Sequence, residues 1–349
     1  MHRACLTGIF VALAATQAMA IDEVIRKSGT GSAKGAITEI SSTSVTVKPK
    51  IGPAITVPAN DIDRIRWDGE PPKLNLARST EQAGRLQKAL TSYAEIAKDP
   101  KAKDDNIKLD IDFMMARTLG KIALSDPSKA DEAIKQLTAI INANPDHFYF
   151  YGAKLLLGQV LMSVKDYEKA RLTFEAVKRA PWTDYKMAAS SAGAKLKRLQ
   201  DDIAGALQDY ESVIALNASS AAEKARRYEA ILGKATCLTK QSNYDEAVKA
   251  LDQVIKEAPA ENGQIQAEAY IRQGDCFQAK GELKAAILAY LRVPVLFSKE
   301  KALYAESLFH LANLWGLVDK PERAADARQT LEDQFPNSEW TKKLTGSAG

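Results

Sequence analysis

The feature that most constrains this chain is a short phrase that recurs seven times. In each copy an alanine is followed four residues later by an aromatic residue or leucine, and three residues further by an aliphatic one; Arg328 replaces the aromatic residue in the last copy. Successive alanines are 36 to 44 residues apart. A period of this size is typical of a solenoid of stacked helical units. The copies are Ala89/Tyr93/Ile96, Ala133/Leu137/Ile140, Ala170/Phe174/Val177, Ala206/Tyr210/Val213, Ala247/Leu251/Val254, Ala286/Tyr290/Val293 and Ala324/Arg328/Leu331.

A second small residue lies twelve positions before most of these alanines. The small residues are Ala77, Gly158, Ala194, Ala235, Gly274 and Ala312. In the second copy an insertion around Ser125–Ser128 displaces the corresponding residue, Ala116. Two helices approach closely only where their side chains are small. The spacing therefore predicts two antiparallel helices per repeat, with the aromatic residue filling the wedge between neighbouring hairpins.

This pattern resembles the tetratricopeptide repeat, and Pro145, Pro259 and Pro336 occupy the proline position that closes the repeat in that family. The resemblance covers Leu74 to about Leu344 and implies a mainly α fold, an α-α superhelical solenoid of about seven hairpins. The repeats are longer than the family's period of about 34 residues. Its structural positions are Ala89, Tyr93, Ala133, Gly158, Ala170, Phe174, Ala206, Tyr210, Ala247, Gly274, Ala286, Tyr290 and Ala324.

The resemblance also implies a concave groove lined by the first helix of each hairpin. Its candidate partner-binding residues are Leu155, Gln159, Met162, Ser191, Lys195, Arg198, Leu232, Thr236, Thr239, Ile271, Asp275, Gln278, Phe309 and Asn313. They lack the Lys, Asn and Arg combination with which some members of the family clamp a terminal carboxylate. We expect an extended or helical peptide or protein segment to lie along the groove.

The segment 21–70 differs from the rest of the chain. It contains five short runs rich in Ile, Val and Thr, at 22–27, 35–40, 44–49, 54–59 and 61–67, separated by Gly, Pro, Ser and Asn. Such runs predict strands. A small all-β module, a curled sheet or barrel, is expected, and Gly35-x-Ile37-x-x-Ile40 resembles Sm-like and SH3-like modules. The rest of the predicted organisation is a linker at 71–73, the hairpins over 74–344 and a disordered tail at 345–349.

The first twenty residues resemble an export signal. A start containing His2 and Arg3 precedes an apolar run that ends in Ala18-Met19-Ala20, the small-x-small pattern of a signal peptidase site. We expect cleavage after Ala20 and a periplasmic or otherwise exported protein; an uncleaved anchor is the alternative. No other stretch approaches the ~18–20 apolar residues that span a bilayer, so the processed chain should not be membrane-spanning.

The catalytic inventory is small. The 349-residue chain has 3 Cys and 3 His, and removal of 1–20 would leave Cys237, Cys276, His147 and His310. The sequence contains no phosphate-binding loop and no zinc motif, so we expect no enzymatic activity, cofactor or metal. The two cysteines occupy the same repeat position, where a packing distance of about 8–10 Å between helices favours free thiols over a disulfide.

Charge indicates which partners to expect. Residues 21–72 hold seven basic and seven acidic side chains, which argues against a nucleic-acid partner. A group of acidic residues near the end of the β module has two interpretations, a cation site or solvated charges on an edge strand and turn. The group consists of Asp61, Asp63, Asp68 and Glu70. Residues 147–200 form a basic stripe that binds an anionic partner or is simply solvated; its cations are Lys154, Lys165, Lys169, Arg171, Lys178, Arg179, Lys186, Lys195, Lys197 and Arg198.

The sequence therefore predicts a non-enzymatic protein-protein interaction scaffold of the cell envelope. The alternative is a protein that binds an envelope polymer, peptidoglycan or another anionic glycan, through the β module or the basic stripe.

Overall fold

The computed structural model describes residues 21–260 and 262–346. The predicted signal peptide and residues 347–349 of the predicted tail lie outside them. Five strands come first, and they form one antiparallel sheet in the order β4-β3-β2-β1-β5. The strands are β1 (Asp22–Arg26), β2 (Ser32–Ile40), β3 (Ser44–Lys48), β4 (Ile55–Pro58) and β5 (Ile62–Arg66). The predicted β module is confirmed.

Gly35 allows the sheet to curl. The first part of β2 pairs with β1, whereas the part beginning at Ala36 pairs with β3. At this bend Gly35 has φ +152°, and a Cβ there would lie 2.2 Å from the carbonyl oxygen of Lys48. Only glycine fits such a close approach of two backbones. The inward side chains of the sheet, such as Val45 and Ile65, belong to a core that continues into the first hairpins.

The helices form seven antiparallel pairs within the described residues, α1/α2 to α13/α14, which confirms the predicted fold class. The helices are α1 (Lys73–Gln82), α2 (Leu86–Ile96), α3 (Asp105–Ala123), α4 (Ala130–Ala143), α5 (Phe150–Ser163), α6 (Tyr167–Val177), α7 (Thr183–Leu199), α8 (Ile203–Ile214), α9 (Ala221–Lys240), α10 (Tyr244–Glu257), α11 (Gly263–Lys280), α12 (Leu283–Leu296), α13 (Lys301–Leu317), α14 (Pro321–Gln334) and the short α15 (Glu339–Leu344). None of these helices is both long enough and apolar enough to cross a membrane.

The helices lie in two layers. We call the first helix of each pair an inner helix and the second an outer helix. From α3 to α13 each inner helix packs against the next, whereas successive outer helices do not pack comparably in the described part of the chain. Closer spacing in one layer bends a stack of repeats towards that layer. The inner helices therefore form the concave face.

Small residues on the inner helices receive the aromatic side chains of the wedge. A Cβ on Gly158 would lie 2.5 Å from the Phe174 ring, and one on Gly274 would lie 2.6 Å from the Tyr290 ring. The repeat alanines that the sequence singles out are buried on the first six outer helices, Ala89, Ala133, Ala170, Ala206, Ala247 and Ala286.

Two positions differ from this scheme. In the last hairpin of the described chain Ala324 is only half-buried and Arg328 is exposed, because none of the described helices covers them as an eighth hairpin would. In the second hairpin Ala116 is buried, but Gly120 is the residue that contacts the outer helix. A Cβ on Gly120 would lie 3.2 Å from Leu137, which occupies the aromatic position of this repeat. The insertion before α4 shifts the contact by one turn.

Candidate partner-binding site

One polar side chain per hairpin follows the small residue on each inner helix, and we call this series the polar row. It consists of Arg78, Lys121, Gln159, Lys195, Thr236, Asp275 and Asn313. Each helical residue is rotated by about 100° from its predecessor. The small residue packs against the outer helix, so the side chain of the residue that follows it turns towards the concave face. Lys195 and Asn313 are exposed, and Gln159, Thr236 and Asp275 are half-buried.

Three predicted groove residues belong to the core instead. Ile271 is 0% exposed, Leu232 is 3% exposed and Met162 is 8% exposed. Leu232 and Ile271 precede the polar row by one turn and join the buried clusters of the hairpins. Their burial corrects the prediction that they contact a partner. Leu155, Arg198 and Phe309 are half-buried on the inner helices.

The β module covers the first member of the polar row. Arg78 is 4% exposed and donates a hydrogen bond to the carbonyl oxygen of Ile65 in β5, at 3.0 Å. Its guanidinium also donates to Glu70 and to Asp110, each at 2.7 Å. A buried cation requires such partners because desolvation alone is costly. Arg78 thus fastens the sheet to the first two inner helices.

Lys121, the second member of the polar row, also lies at the junction where the β module packs against the first two inner helices. Lys121 and Arg117 both donate to the Glu81 carboxylate, at 2.8 and 2.6 Å. Burial raises the pKa of Glu81, but the charges and hydrogen bonds of Arg117 and Lys121 outweigh it and lower the pKa to about 2. Together with Asp63 and Arg64 of β5, these groups line a cavity of about 110 Å³. The β module therefore occupies the start of the concave face.

The β module also reaches the fourth hairpin. The Asn60 side-chain amide donates to Oδ1 of Asp184 at the start of α7, at 3.1 Å. Lys27 donates to the carbonyl oxygen of Asn60 at 2.9 Å, and desolvation lowers the pKa of Lys27 while Asp184 and other carboxylates oppose that shift. The β module thus contacts α1 and the start of α7 and lines a cavity with α3, whereas Gln159, Lys195, Thr236, Asp275 and Asn313 take no part in these hydrogen bonds or in that cavity.

A polar network fills the other end of the groove. Arg272 donates to Asp275 at 2.6 Å and to Glu306 at 2.8 Å, and the Tyr290 hydroxyl donates to Asp275 at 2.7 Å. His310 stacks on Tyr290 with ring centroids 4.5 Å apart, and burial lowers the pKa of His310. Asp275 is thus held within the protein rather than free for a ligand.

Part of the basic stripe is paired within the protein. Lys169 and Arg171 on α6, and Lys178 directly after it, each pair with the acidic residue three positions earlier. On α7, Lys197 pairs with Asp209 of the outer helix α8. Such exposed pairs neutralise charge and contribute little to stability. Four of the ten cations of the stripe are therefore paired with neighbouring carboxylates.

The other sites considered from sequence are internally paired. Asp61 accepts hydrogen bonds from Ser28, and Asp63 pairs with Arg64. In the described part of the chain, no cluster of His, Cys, Asp and Glu has a metal-binding arrangement. Cys237 and Cys276 are free buried thiols, and burial raises the pKa of both.

Comparisons with known proteins agree with this geometry. The family model described as tetratricopeptide repeat matches residues 192–262 and 232–300. No curated protein matches the sequence. A Rap protein complexed with Competence and Sporulation Factor is similar in structure, with 16% identity, TM-score 0.52 and coverage of 78% of this chain and 77% of that one. A tetratricopeptide repeat protein from Parabacteroides merdae has 18% identity, TM-score 0.50 and coverage of 78% and 95%. The part of the solenoid at 192–300 therefore matches the tetratricopeptide repeat, and the described chain as a whole places an N-terminal β module before seven helical hairpins.

Proposed function

We propose that this protein is an interaction scaffold that binds a peptide or protein segment along the open part of its polar row. The observation that carries the proposal is the series Gln159, Lys195, Thr236 and Asn313, polar side chains of the inner helices on the concave face; the remaining member of this part of the row, Asp275, is held by Arg272 and Tyr290. A segment lying across the inner helices would meet these four side chains in turn. Concave surfaces of this kind are what solenoids use for extended recognition.

Two further observations support an interaction role. The repeat fold itself supports a protein-protein scaffold, and the similar Rap protein is complexed with a factor. The inner helices also keep partly exposed side chains such as Leu155 and Phe309 beside the row. Apolar groups flanking polar ones suit a peptide, whose side chains and backbone require both kinds of contact.

We place this function outside the cytoplasm, in the cell envelope. The support is the basic start, the apolar run and the small-x-small end of residues 1–20. Determination of the N-terminal residue of the protein recovered from its native cells tests this. A chain that begins at Ile21 is expected, and one that retains the first twenty residues contradicts export by cleavage.

Site-specific photocrosslinking of the full chain in its native cells tests the groove. A photoreactive amino acid is placed at Gln159, Thr236 or Asn313 on the inner helices. In matched controls it replaces Gln208 or Lys249, which are exposed on outer helices. We expect the three inner positions to give an adduct with the same protein partner and the two outer positions to give none.

Either of two results would contradict the proposed function. In one, the outer positions give the same adduct as the inner positions. In the other, none of the inner positions gives an adduct although the variants accumulate as folded protein.

A further inference from the structure

We propose that the exposed face of the outer helix α12 docks on a second copy of this chain, so that two solenoids associate through their outer layers. This inference goes beyond the proposed function, because α12 belongs to the layer on the side opposite to the groove. Three large apolar side chains of α12 are turned to solvent: Leu288, Val295 and Leu296 are 65%, 73% and 56% exposed. A group of exposed apolar residues on one helix is typical of an interaction surface.

The repeat itself does not require an apolar face on α12. Ala286 of α12 corresponds to Ala247 of α10 and to Ala324 of α14, so the three outer helices can be compared position by position. At the positions of Leu288, Val295 and Leu296, the helix α10 has Lys249, Lys256 and Glu257, and α14 has Asp326, Asp333 and Gln334. Polar residues therefore serve at these positions on both neighbouring outer helices, and the apolar residues of α12 indicate a contact that its neighbours do not make.

The charge of α12 is entirely positive. Residues 283–299 contain no Asp or Glu, and Lys284, Arg292 and Lys299 are exposed. None of these three cations has a carboxylate within ion-pair distance in the described part of the chain, whereas Lys280, just before the helix, pairs with two carboxylates. The face of α12 therefore offers unpaired positive charge beside its apolar side chains.

The outer helices on either side of α12 have the opposite charge. Both α10 and α14 carry four exposed acidic residues and two exposed basic ones. The acidic residues are Asp245, Glu246, Asp252 and Glu257 on α10, and Glu322, Asp326, Glu332 and Asp333 on α14. A surface with a basic and apolar centre between two acidic flanks is complementary to a second copy of itself, as a two-fold interface requires.

The length of α12 fits such a contact. Helices that pack face to face commonly cross at about 50°. The 14 residues of α12 extend about 21 Å at a rise of about 1.5 Å per residue. If two copies of α12 cross at their midpoints, each end lies about 8 Å to the side of the other helix, close to the 8–10 Å that separates packed helices. Lys284 and Lys299, near the two ends, then lie towards α10 and α14 of the second copy, and both of those helices are acidic.

The size of the contact and the charge of its flanks favour a second copy over a lipid surface. A stable interface buries about 800 Å² per partner, which is more than the exposed face of one helix provides, so the flanking helices have to take part. A flat anionic membrane that touched α12 would also approach α10 and α14, whose net negative charge it would repel. A second copy instead uses the same acidic flanks as partners for its cations.

The test is sedimentation velocity of the full chain purified from its native cells, over a range of concentrations. Wild type is compared with Leu288→Lys/Leu296→Glu, which gives α12 the residues of α10 at these positions and leaves the net charge unchanged. The matched control, Leu172→Lys/Leu216→Glu, makes the same changes at exposed leucines of the third and fourth hairpins. We expect wild type and the control to form dimers. The α12 variant should raise the dissociation constant at least about tenfold, and circular dichroism checks its folding.

Charge reversal tests the acidic flanks separately. Lys284→Glu/Arg292→Glu should weaken the dimer at least about tenfold, because it places like charges opposite each other. The same change at Lys249 and Lys256 makes α10 more acidic and should not weaken the dimer. Equal weakening by both pairs would contradict the proposed complementarity, since net charge alone would then explain the loss.

Photocrosslinking in the native cells identifies the occupant of this face. A photoreactive amino acid at Leu288 should give an adduct that contains only this chain, and one at Leu172 should give no adduct. A different protein in the Leu288 adduct would overturn the inference. So would a wild-type chain that stays monomeric, a Leu288/Leu296 variant that dimerises like wild type, or a monomer that binds phosphatidylglycerol vesicles through Leu288 and Leu296. None of these results affects the crosslinks from Gln159 on the concave face, so the proposed function stands or fails separately.

Discussion

Gly233 on α9 is the position where a single methyl group should have the clearest effect on the solenoid. A Cβ there would lie 2.3 Å from Cζ and 2.4 Å from Cε1 of Tyr210 on α8. Tyr210 is 4% exposed and shares a buried cluster with Ala194 of α7. The ring is therefore confined between its own hairpin and the next one, and Gly233→Ala must push α8 and α9 apart.

The magnitude follows from two opposing effects. Alanine in a helix interior is favoured over glycine by about 1 kcal/mol. Carbon atoms attract at about 3.5–4.0 Å, so the new methyl group is more than about 1 Å too close to the ring. Overpacking of a core costs roughly 1–3 kcal/mol, and a clash with a confined ring belongs at the upper end. We expect Gly233→Ala to lower the free energy of unfolding by about 2 kcal/mol.

Urea unfolding followed by circular dichroism measures this, with Gly193→Ala as the matched control. Gly193 also lies within an inner helix, but a Cβ there would meet nothing within 4 Å. The control should therefore stabilise the protein by about 0.5–1 kcal/mol. If Gly233→Ala is as stable as wild type while Gly193→Ala shows its gain, the wedge argument is refuted.

Three further predictions concern the junction, pH and the wedge. Arg78→Met should lower the free energy of unfolding by about 3–5 kcal/mol in urea melts, because it leaves the buried carboxylate of Asp110 unpaired; an unchanged midpoint would contradict the assigned role. Burial lowers the pKa of His147 from 6.5 to about 4, so stability should be lost as pH falls through this range. His147→Gln should reduce the loss between pH 7.5 and pH 5 by about 1–2 kcal/mol in urea melts at the two pH values, whereas an identical pH dependence would refute the assignment. Ala286→Leu overpacks a fully buried position and should destabilise by roughly 1–3 kcal/mol, seen as a lower thermal midpoint; an unchanged melt would refute the register.

Local patterns were enough to predict both parts of the fold. The alternating valines in Val45-x-Val47 mark a strand with one buried face, and both residues are fully buried in the sheet. The spacing between Gly158 and Phe174 is a property of one hairpin, so the sequence predicts the packing directly. In each case the residues that determine the structure are close along the chain.

The groove was harder to predict because exposure depends on neighbouring repeats. Leu232 and Ile271 belong to inner helices, but the next inner helix covers them, and their apolar character is the signal that could have assigned them to the core. Gly233 contacts the aromatic residue of the preceding hairpin, a contact that analysis within single repeats does not reveal. The position of the β module depends on Arg78 and Ile65, which pair across the domain boundary.

The open groove also has a direction. The β module donates a hydrogen bond through Asn60 to Asp184 at the start of α7, whereas Arg272 and Tyr290 hold Asp275 on α11. Between these two contacts the polar row changes from the cation Lys195 on α7 to the neutral Thr236 on α9. If a segment binds there as we propose, its two orientations would place different side chains against Lys195 and Thr236, and the order of the polar row would favour one of them.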